Sequence, residues 1–272
     1  MMIVVTGGTG NVGGELVRLL VGAGEQVAAV SRRPAPSSES VRSLVGDLAE
    51  PDSLKAAFDG GDALFLHVAG SDPKGVLDAA EAGGIRRVVL LSSQGAGSRP
   101  DLYAQPVVFE EAVRRSGLEW TILRPGGFHS NALAWAEPIR AHRTAAAPFA
   151  DVALPFIDPA DIAGVAAAVL RGDSHAGRTY VLTGPQPITP RERAATIGEV
   201  LGERVRFVEQ SRQEAREQML RFMPEEAVEG TLSILGTPTP AEQQVSPEVE
   251  RILGRAPRPF ADWAARNAAA FR

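Results

Sequence analysis

The sequence predicts an α/β protein built on a doubly wound parallel sheet, and three observations carry that prediction. From Met2 to Arg124, short apolar runs alternate with amphipathic segments whose apolar residues recur at three- and four-residue spacing. Such alternation is the pattern of βα units that lay parallel strands side by side and cover both faces with helices. A glycine cluster, Gly7, Gly8, Gly10 and Gly13, separates the first apolar run from the first amphipathic one. The chain also has 272 residues, 44% hydrophobic and 22% charged, enough to bury one large core with a smaller elaboration.

In order, the apolar runs place strands at 3–6, 26–30, 41–45, 63–67, 87–91 and 119–123. Helices are expected between them at 12–22, 51–58, 72–82 and 106–115, with Gly24, Gly83, Gly84 and Gly117 as stop signals. After Pro125 the composition turns richer in Pro and Ala, and the regular alternation breaks. We therefore divide the chain into a core, 1–125, and a mixed region, 126–272, that returns partly to the sheet and forms a small α-rich part. Its helices are expected at 159–171, 190–201, 213–222, 225–235 and 259–270, and its short strands at 179–182 and 205–208. The spaced prolines of 236–247 read as a surface loop.

Composition removes several function classes. A net charge of -5 without clustered Lys or Arg argues against direct nucleic-acid binding. The absence of cysteine excludes disulfides, thiolate metal sites and cysteine nucleophiles, and fits a reducing, cytoplasmic setting. No metal is expected, because the four histidines are scattered and the acids show no convergent spacing. The first residues lack a charged leader and run straight into the glycine loop, so they read as a buried strand; no apolar stretch is long enough for a bilayer.

The loop Thr6-Gly7-Gly8-Thr9-Gly10-Asn11-Val12-Gly13 lies between a predicted strand and a predicted helix. There Gly7 permits the sharp turn, Gly10 lets backbone approach a pyrophosphate, and Gly13 lets the helix pack closely. The helix N-terminus supplies free N–H groups and a favourable dipole. Roughly twenty positions beyond the loop, where an acidic residue would hold the ribose of NAD, stand Ser31, Arg32 and Arg33. A guanidinium can chelate a 2′-phosphate that a carboxylate would repel, so the expected cofactor is NADP(H); the alternative is a pair of solvated loop arginines. Asp47 could accept from the adenine amino group while Leu48 packs on the ring; the equal alternative for Asp47 is an N-cap.

These residues resemble the NmrA-like group of atypical short-chain dehydrogenase/reductases, Rossmann proteins that bind NAD(P). The likeness runs through the glycine loop, Ser31-Arg32-Arg33, Gly46-Asp47-Leu48, Leu91-Ser92-Ser93, the stretch from Ser116 to Phe128, and that from Pro155 to Ala163. It implies that Val68, Ala69 and Gly70, then Ser92, and then Pro125, Gly127 and Phe128 line the cofactor from adenine to nicotinamide. Substrate would lie between those loops and the C-terminal region, near Ser93, Gln94, Tyr103, Phe128, His129, Asn131 and Trp135.

The wider superfamily uses a Tyr-x-x-x-Lys pair with a serine, the lysine lowering the tyrosine pKa. This chain cannot build that pair: Val107 stands four residues after Tyr103, and the two lysines, Lys55 and Lys74, lie elsewhere. The proton would then come from water, from the substrate's own hydroxyl, or from an unusual donor such as His129, placed after the Gly-Gly-Phe turn, or Tyr103, while Ser93 could bind a carbonyl oxygen. His129 could as well be a surface or capping histidine. Glu110 and Glu111, with Arg114 and Arg115 at helical spacing, read as a solvated face. Two readings follow: an NADPH-dependent reductase of a carbonyl or quinone on an apolar or aromatic small molecule, or a non-catalytic NADP(H) sensor that binds a protein partner. A bound-nucleotide isomerase or dehydratase is a third.

Overall fold

The computed structural model describes Met1–Arg272 and shows nine strands, in a seven-stranded and a two-stranded sheet. The strands are β1 Met2–Thr6, β2 Gln26–Ser31, β3 Val41–Val45, β4 Ala63–His67, β5 Arg87–Leu91, β6 Glu119–Pro125, β7 Thr144–Pro148, β8 Arg178–Leu182 and β9 Arg206–Gln210. The helices are α1 Gly13–Gly22, α2 Lys55–Phe58, α3 Pro73–Ala82, α4 Gln94–Ser98, α5 Ala104–Arg115, α6 Ala136–His142 and α7 Pro159–Arg171. They continue with α8 Pro190–Leu201, α9 Arg212–Met219, α10 Glu225–Gly236, α11 Pro240–Gln243, α12 Glu248–Leu253 and α13 Phe260–Arg266. The order of the large sheet is β3-β2-β1-β4-β5-β6-β8, and its registered pairs β1–β2, β1–β4, β2–β3, β4–β5 and β5–β6 are all parallel. This is the doubly wound arrangement expected from the sequence, and it reverses direction between β1 and β4.

The chain divides into two compact units. The first comprises Met1–Ala96, Ala104–Pro125 and Pro159–Val181; the second comprises Gly97–Tyr103, Gly126–Asp158 and Leu182–Arg272. In the first, alternate strand residues Val4, Leu64, Leu66, Val88 and Leu90 pack with Val76, Leu77 and Ala80 of α3 and Phe109 and Val113 of α5. The pleat turns Ile3, Val5, Phe65 and Val89 to the opposite face, the side on which α1 and α7 pair. Each such fully buried side chain contributes about 1.5–3 kcal/mol.

In the second unit, β7 and β9 pair in parallel from Thr144–Arg206 to Pro148–Gln210. Its core gathers Trp135, Ile139, Phe156, Ile197, Phe260, Trp263 and Phe271. Capping boxes at Thr189 with Glu192 and Ser211 with Glu214 start α8 and α9 by satisfying the first N–H groups of each helix.

Three expectations need correction. The stretch 236–247 is not a plain loop: it contains α11, capped by Thr239, and Glu242 within it is fully buried. The strand β7 was not foreseen, because Thr-Ala-Ala-Ala-Pro has little intrinsic β preference and pairs only through its tertiary neighbour. The helices expected at 51–58 and 259–270 each divide, the first into a 3₁₀ turn and α2, the second into α13 and a 3₁₀ turn at Ala268–Phe271. No helix is long and apolar enough to cross a membrane.

Candidate cofactor site

At the carboxyl end of β1, the chain leaves Thr6 through Gly7, whose φ of 67° is a left-handed value that suits glycine. The N–H of Gly10 donates to the carbonyl of Gly7 at 2.8 Å, and that of Gly14 to Gly10 at 2.8 Å, curling the loop into α1. A Cβ on Gly13 would stand 2.1 Å from the carbonyl oxygen of Gly7, so closure of this loop requires glycine there. Val12, at the N-cap, offers no side-chain acceptor to the helix. Thr9, Gly10 and Asn11 are exposed while Val12 and Gly13 are buried. The result is an open backbone cradle at a helix N-terminus, which fits a pyrophosphate.

Around this cradle the neighbouring strand ends supply the other walls. Ser31 donates from its hydroxyl to the carbonyl of Arg33 at 2.6 Å, turning the chain after β2 so that Arg32 and Arg33 are exposed. After β3, Asp47 accepts from its own Ala49 N–H at 2.9 Å in a local turn, and Leu48 is buried. Gly70, with φ 79°, lies so close to Leu48 that a Cβ would be 2.5 Å from its carbonyl oxygen. The Gln105 amide donates to the Gly70 carbonyl at 2.8 Å, so the loops carrying Asp47–Leu48 and Val68–Ala69–Gly70 are held together and tied to α5.

After β5, the Ser92 hydroxyl donates to Glu110 Oε1 at 2.7 Å. Glu110 is only 1% exposed, which overturns its reading as part of a solvated face; only Glu111 with Arg115 behaves that way. Arg124 reaches Glu110 through Nε at 2.8 Å and Nη2 at 2.6 Å, and Arg114 adds a contact at 2.8 Å. Burial alone would raise the Glu110 pKa, but the hydrogen bonds from Arg124 and Ser92 and the Arg124 charge outweigh it and hold the carboxyl below its ordinary value. Since this carboxylate only accepts, the Ser92 proton is committed to it and the Ser92 oxygen presents lone pairs. The sequence signal for this cluster was present, a Glu at i and Arg at i+4 on α5, but it could not show Arg124 arriving from β6.

Ser93 and Gln94 are half-buried at the start of α4, where the Ser93 hydroxyl accepts from the Gly95 N–H at 3.2 Å.

Within the second unit, the turn that follows Pro125 is clamped. Gly126 donates to Leu182 at 2.9 Å, Ile157 to Gly127 at 2.8 Å, and His129 to Ile157 at 2.8 Å. A Cβ on Gly127 would strike the Phe156 ring at 2.5 Å. Phe128 is half-buried and Asn131 exposed. The His129 ring, however, is 1% exposed and packs edge-on against Phe260 at 5.2 Å between centroids, with Nε2 3.4 Å from the Arg258 carbonyl. Trp135 is likewise buried, its indole donating to Ala146 at 2.8 Å. The structure thus presents neither His129 nor Trp135 to an incoming molecule, because the apolar drive that fills this core encloses both.

Sequence reasoning missed Arg193 altogether. Its guanidinium lies 4.3 Å from the Phe156 centroid and 5.1 Å from those of Trp135 and Phe260, and it donates to the His129 carbonyl at 3.3 Å. Burial pulls its pKa down to about 9, which leaves it charged at neutral pH. Tyr103 packs on α10, where a Cβ on Gly230 would be 3.1 Å from its ring. Burial raises the Tyr103 pKa even though its hydroxyl is hydrogen-bonded to Thr231, so it lacks the activation that a neighbouring lysine gives.

Comparison with known proteins agrees with this geometry. A family model described as NAD(P)H-binding matches residues 7–173. The chain is 39% identical, over 99% of both sequences, to the (4-alkanoyl-5-oxo-2,5-dihydrofuran-3-yl)methyl phosphate reductase of Streptomyces griseus. It is 33% identical, again over 99% of both, to the NAD(P)H azoreductase of Xenophilus azovorans. Its fold superposes on the NADPH-dependent quinone oxidoreductase of Escherichia coli crystallised with NADPH, with a TM-score of 0.80, 23% identity and coverage of 97% and 99%. A glycine cradle at a helix start, in a parallel sheet that reverses beside it, and a family match across most of the first unit lead to one conclusion: the chain belongs to the NAD(P)H-binding reductase-like family of Rossmann proteins.

Proposed function

We propose that the protein is an NADPH-dependent reductase of a small molecule whose carbon–carbon double bond is conjugated to carbonyl groups, of the oxo-dihydrofuran type. The observation that carries this reading is the 39% identity over 99% of both chains to the dihydrofuranone phosphate reductase. It refines the expectation of a carbonyl or quinone acceptor and gives a physical account of the missing Tyr–Lys pair.

In a 4-alkanoyl-5-oxo-2,5-dihydrofuran, the ring double bond joins C3 and C4, and C4 bears both carbonyl functions. Addition of hydride at C3 leaves negative charge on a carbanion delocalised over two oxygens. Such an anion takes its proton from water, so the rate does not depend on a tuned protein acid. A simple ketone would instead collect charge on one alkoxide oxygen and require a donor in place. The overall change consumes NADPH and one proton, forms two C–H bonds at C3 and C4, and releases NADP⁺.

The chain's own residues then hold and orient. The Gly7–Gly13 backbone and the start of α1 would hold the pyrophosphate, and Arg32 with Arg33 the 2′-phosphate that favours NADP(H) over NAD(H). Asp47, Leu48, Val68, Ala69 and Gly70 would flank adenine, and Ser92 would accept from a donor on the nicotinamide half. The bound dihydronicotinamide supplies the hydride. Orientation of the substrate against the cofactor supplies the remainder of the rate.

Turnover of NADPH with the conjugated dihydrofuranone, compared with a saturated ketone, a quinone and an azo dye, tests the substrate class. Deuterium from reduced cofactor is expected at C3, and solvent deuterium at C4. Reduction of the exocyclic ketone with the ring bond intact would overturn the proposal. Arg32→Glu tests the cofactor choice: the NADPH-to-NADH ratio of kcat/KM should fall by about 10–100-fold, and an unchanged ratio would remove Arg32 from recognition.

A further inference from the structure

We propose that His67 is a titrating, phosphate-facing member of the cofactor site, whose imidazolium donates a charge-assisted hydrogen bond to a phosphate of the bound dinucleotide. The inference rests on the family's NAD(P)H binding and not on the substrate proposed above. Its starting point is placement. Thr6 ends β1 and His67 ends β4, the two paired strands between which the sheet reverses its winding. Open α/β sheets hold ligands beyond the carboxyl ends of such strands.

Hydrogen bonding fixes the tautomer. Thr6 Oγ1 donates its own proton to the Phe65 carbonyl at 2.9 Å and accepts the His67 backbone N–H at 3.1 Å. The His67 Nδ1 lies 2.9 Å from the same oxygen. With the hydroxyl proton already committed, the hydrogen between them belongs to Nδ1, and Nε2 is the nitrogen left to gain or lose a proton. The same edge of the ring lies against the first turn of the phosphate loop: a Cβ on Gly7 would be 3.2 Å from both Cε1 and Nδ1. Glycine at that position therefore serves two ends, the turn and the close approach of the imidazole.

The groups acting on His67 come from the ends of two neighbouring strands, β1 and β2. Burial first, and then the Arg32 charge beyond β2, lower its pKa below the ordinary histidine value, while Thr6 on β1 opposes them slightly. No carboxylate is among them. In the free protein the ring is thus neutral at pH 7, with its positive neighbour unbalanced. A phosphate brought to the Gly7 loop or to Arg32 reverses that balance and draws a proton onto Nε2. Binding then takes up a proton, and affinity falls as pH rises between the free and bound pKa values of His67. An upward shift of one pKa unit corresponds to about a 10-fold loss of affinity across that interval.

The pyrophosphate, common to both cofactors, and the 2′-phosphate, present only in NADP(H), share this chemistry. Calorimetric titration of the wild-type protein with NAD⁺ and with NADP⁺, in buffers of different ionisation enthalpy at pH 7, reads proton uptake directly. Uptake with both cofactors identifies the pyrophosphate as the source; uptake with NADP⁺ alone identifies the 2′-phosphate. His67→Gln should abolish the His67 component and leave the ionisation of the 2′-phosphate itself, near pH 6. In parallel, the imidazole resonances of the wild-type protein should show one histidine, assigned to His67 by its through-space contacts with Thr6 and Gly7, whose pKa rises by about one unit or more on saturation with cofactor. Absence of proton uptake with either cofactor, or a His67 pKa unmoved by saturation, would overturn the proposal; both measurements stand on the wild-type protein even if the variant does not fold.

Discussion

Replacing Glu110 by Gln removes one charge from the inside of the first unit while keeping the shape of the side chain. Glutamine can still accept from Ser92, but it no longer neutralises Arg124 and Arg114, which are 21% and 36% exposed beside a carboxylate at 1%. Breaking a buried ion pair by removing one partner costs about 3–5 kcal/mol, and solvent access to the two arginines brings the expected loss to the lower end, about 3 kcal/mol. For a chain of this size that corresponds to a fall in Tm of roughly 6–12 °C. Glu110 titrates below its ordinary value in the folded state. Its contribution is therefore fully present above the unfolded carboxylate pKa and is lost as pH falls through the folded one. Thermal melting of wild type and E110Q from pH 7 to pH 3 should show a gap that is constant above about pH 5 and narrows in acid. A gap under about 2 °C at pH 7, or one that widens in acid, would refute the assignment of Glu110 as an ionised hub.

Other expected outcomes follow from the same structure. Gly13→Ala, whose Cβ would stand 2.1 Å from the Gly7 carbonyl, should weaken NADPH binding by at least about 100-fold in a fluorescence titration, since the clash is with the backbone of the cradle itself. Gly22→Ala is its control: nothing lies within 4 Å of the added carbon, so it should leave affinity unchanged and stabilise the helix by about 0.5–1 kcal/mol. Glu242, fully buried, is opposed by burial but held at a pKa of about 2 by Arg99, the Thr239 backbone and Ser98. Acid unfolding should therefore include a loss of about 2–3 kcal/mol between pH 5 and pH 2 that is missing in Glu242→Gln. His129→Gln should leave the pH profile of kcat unchanged, because the ring is enclosed; loss of an ionisation from that profile would restore His129 as a proton donor.

Much of the fold was legible because its signals are local. The apolar runs gave six strands of the large sheet within a residue or two, and α7 and α8 begin and end where Pro159, Arg171, Pro190 and Leu201 place them. The glycine loop was legible for the same reason, since the turn, the close approach and the helix start occupy eight consecutive residues. Side-chain partnerships were not legible. Glu110 and Glu242 look like surface acids along the chain, yet each is enclosed by an arginine from another element, Arg124 of β6 and Arg99 just after α4. His129 follows a turn that promised access, but Phe260, more than a hundred residues later, closes over it.

What the sequence by itself determined is the parallel sheet, the glycine loop at the start of α1 and the cationic strand end at Arg32, each set by backbone freedom, periodicity or charge within a short window. The tertiary structure alone decided which ionisable groups are buried, which proton Ser92 gives away, and that His67 rests on Gly7. Those properties depend on which distant surfaces exclude water from a group and which partners replace it, and no local pattern records them.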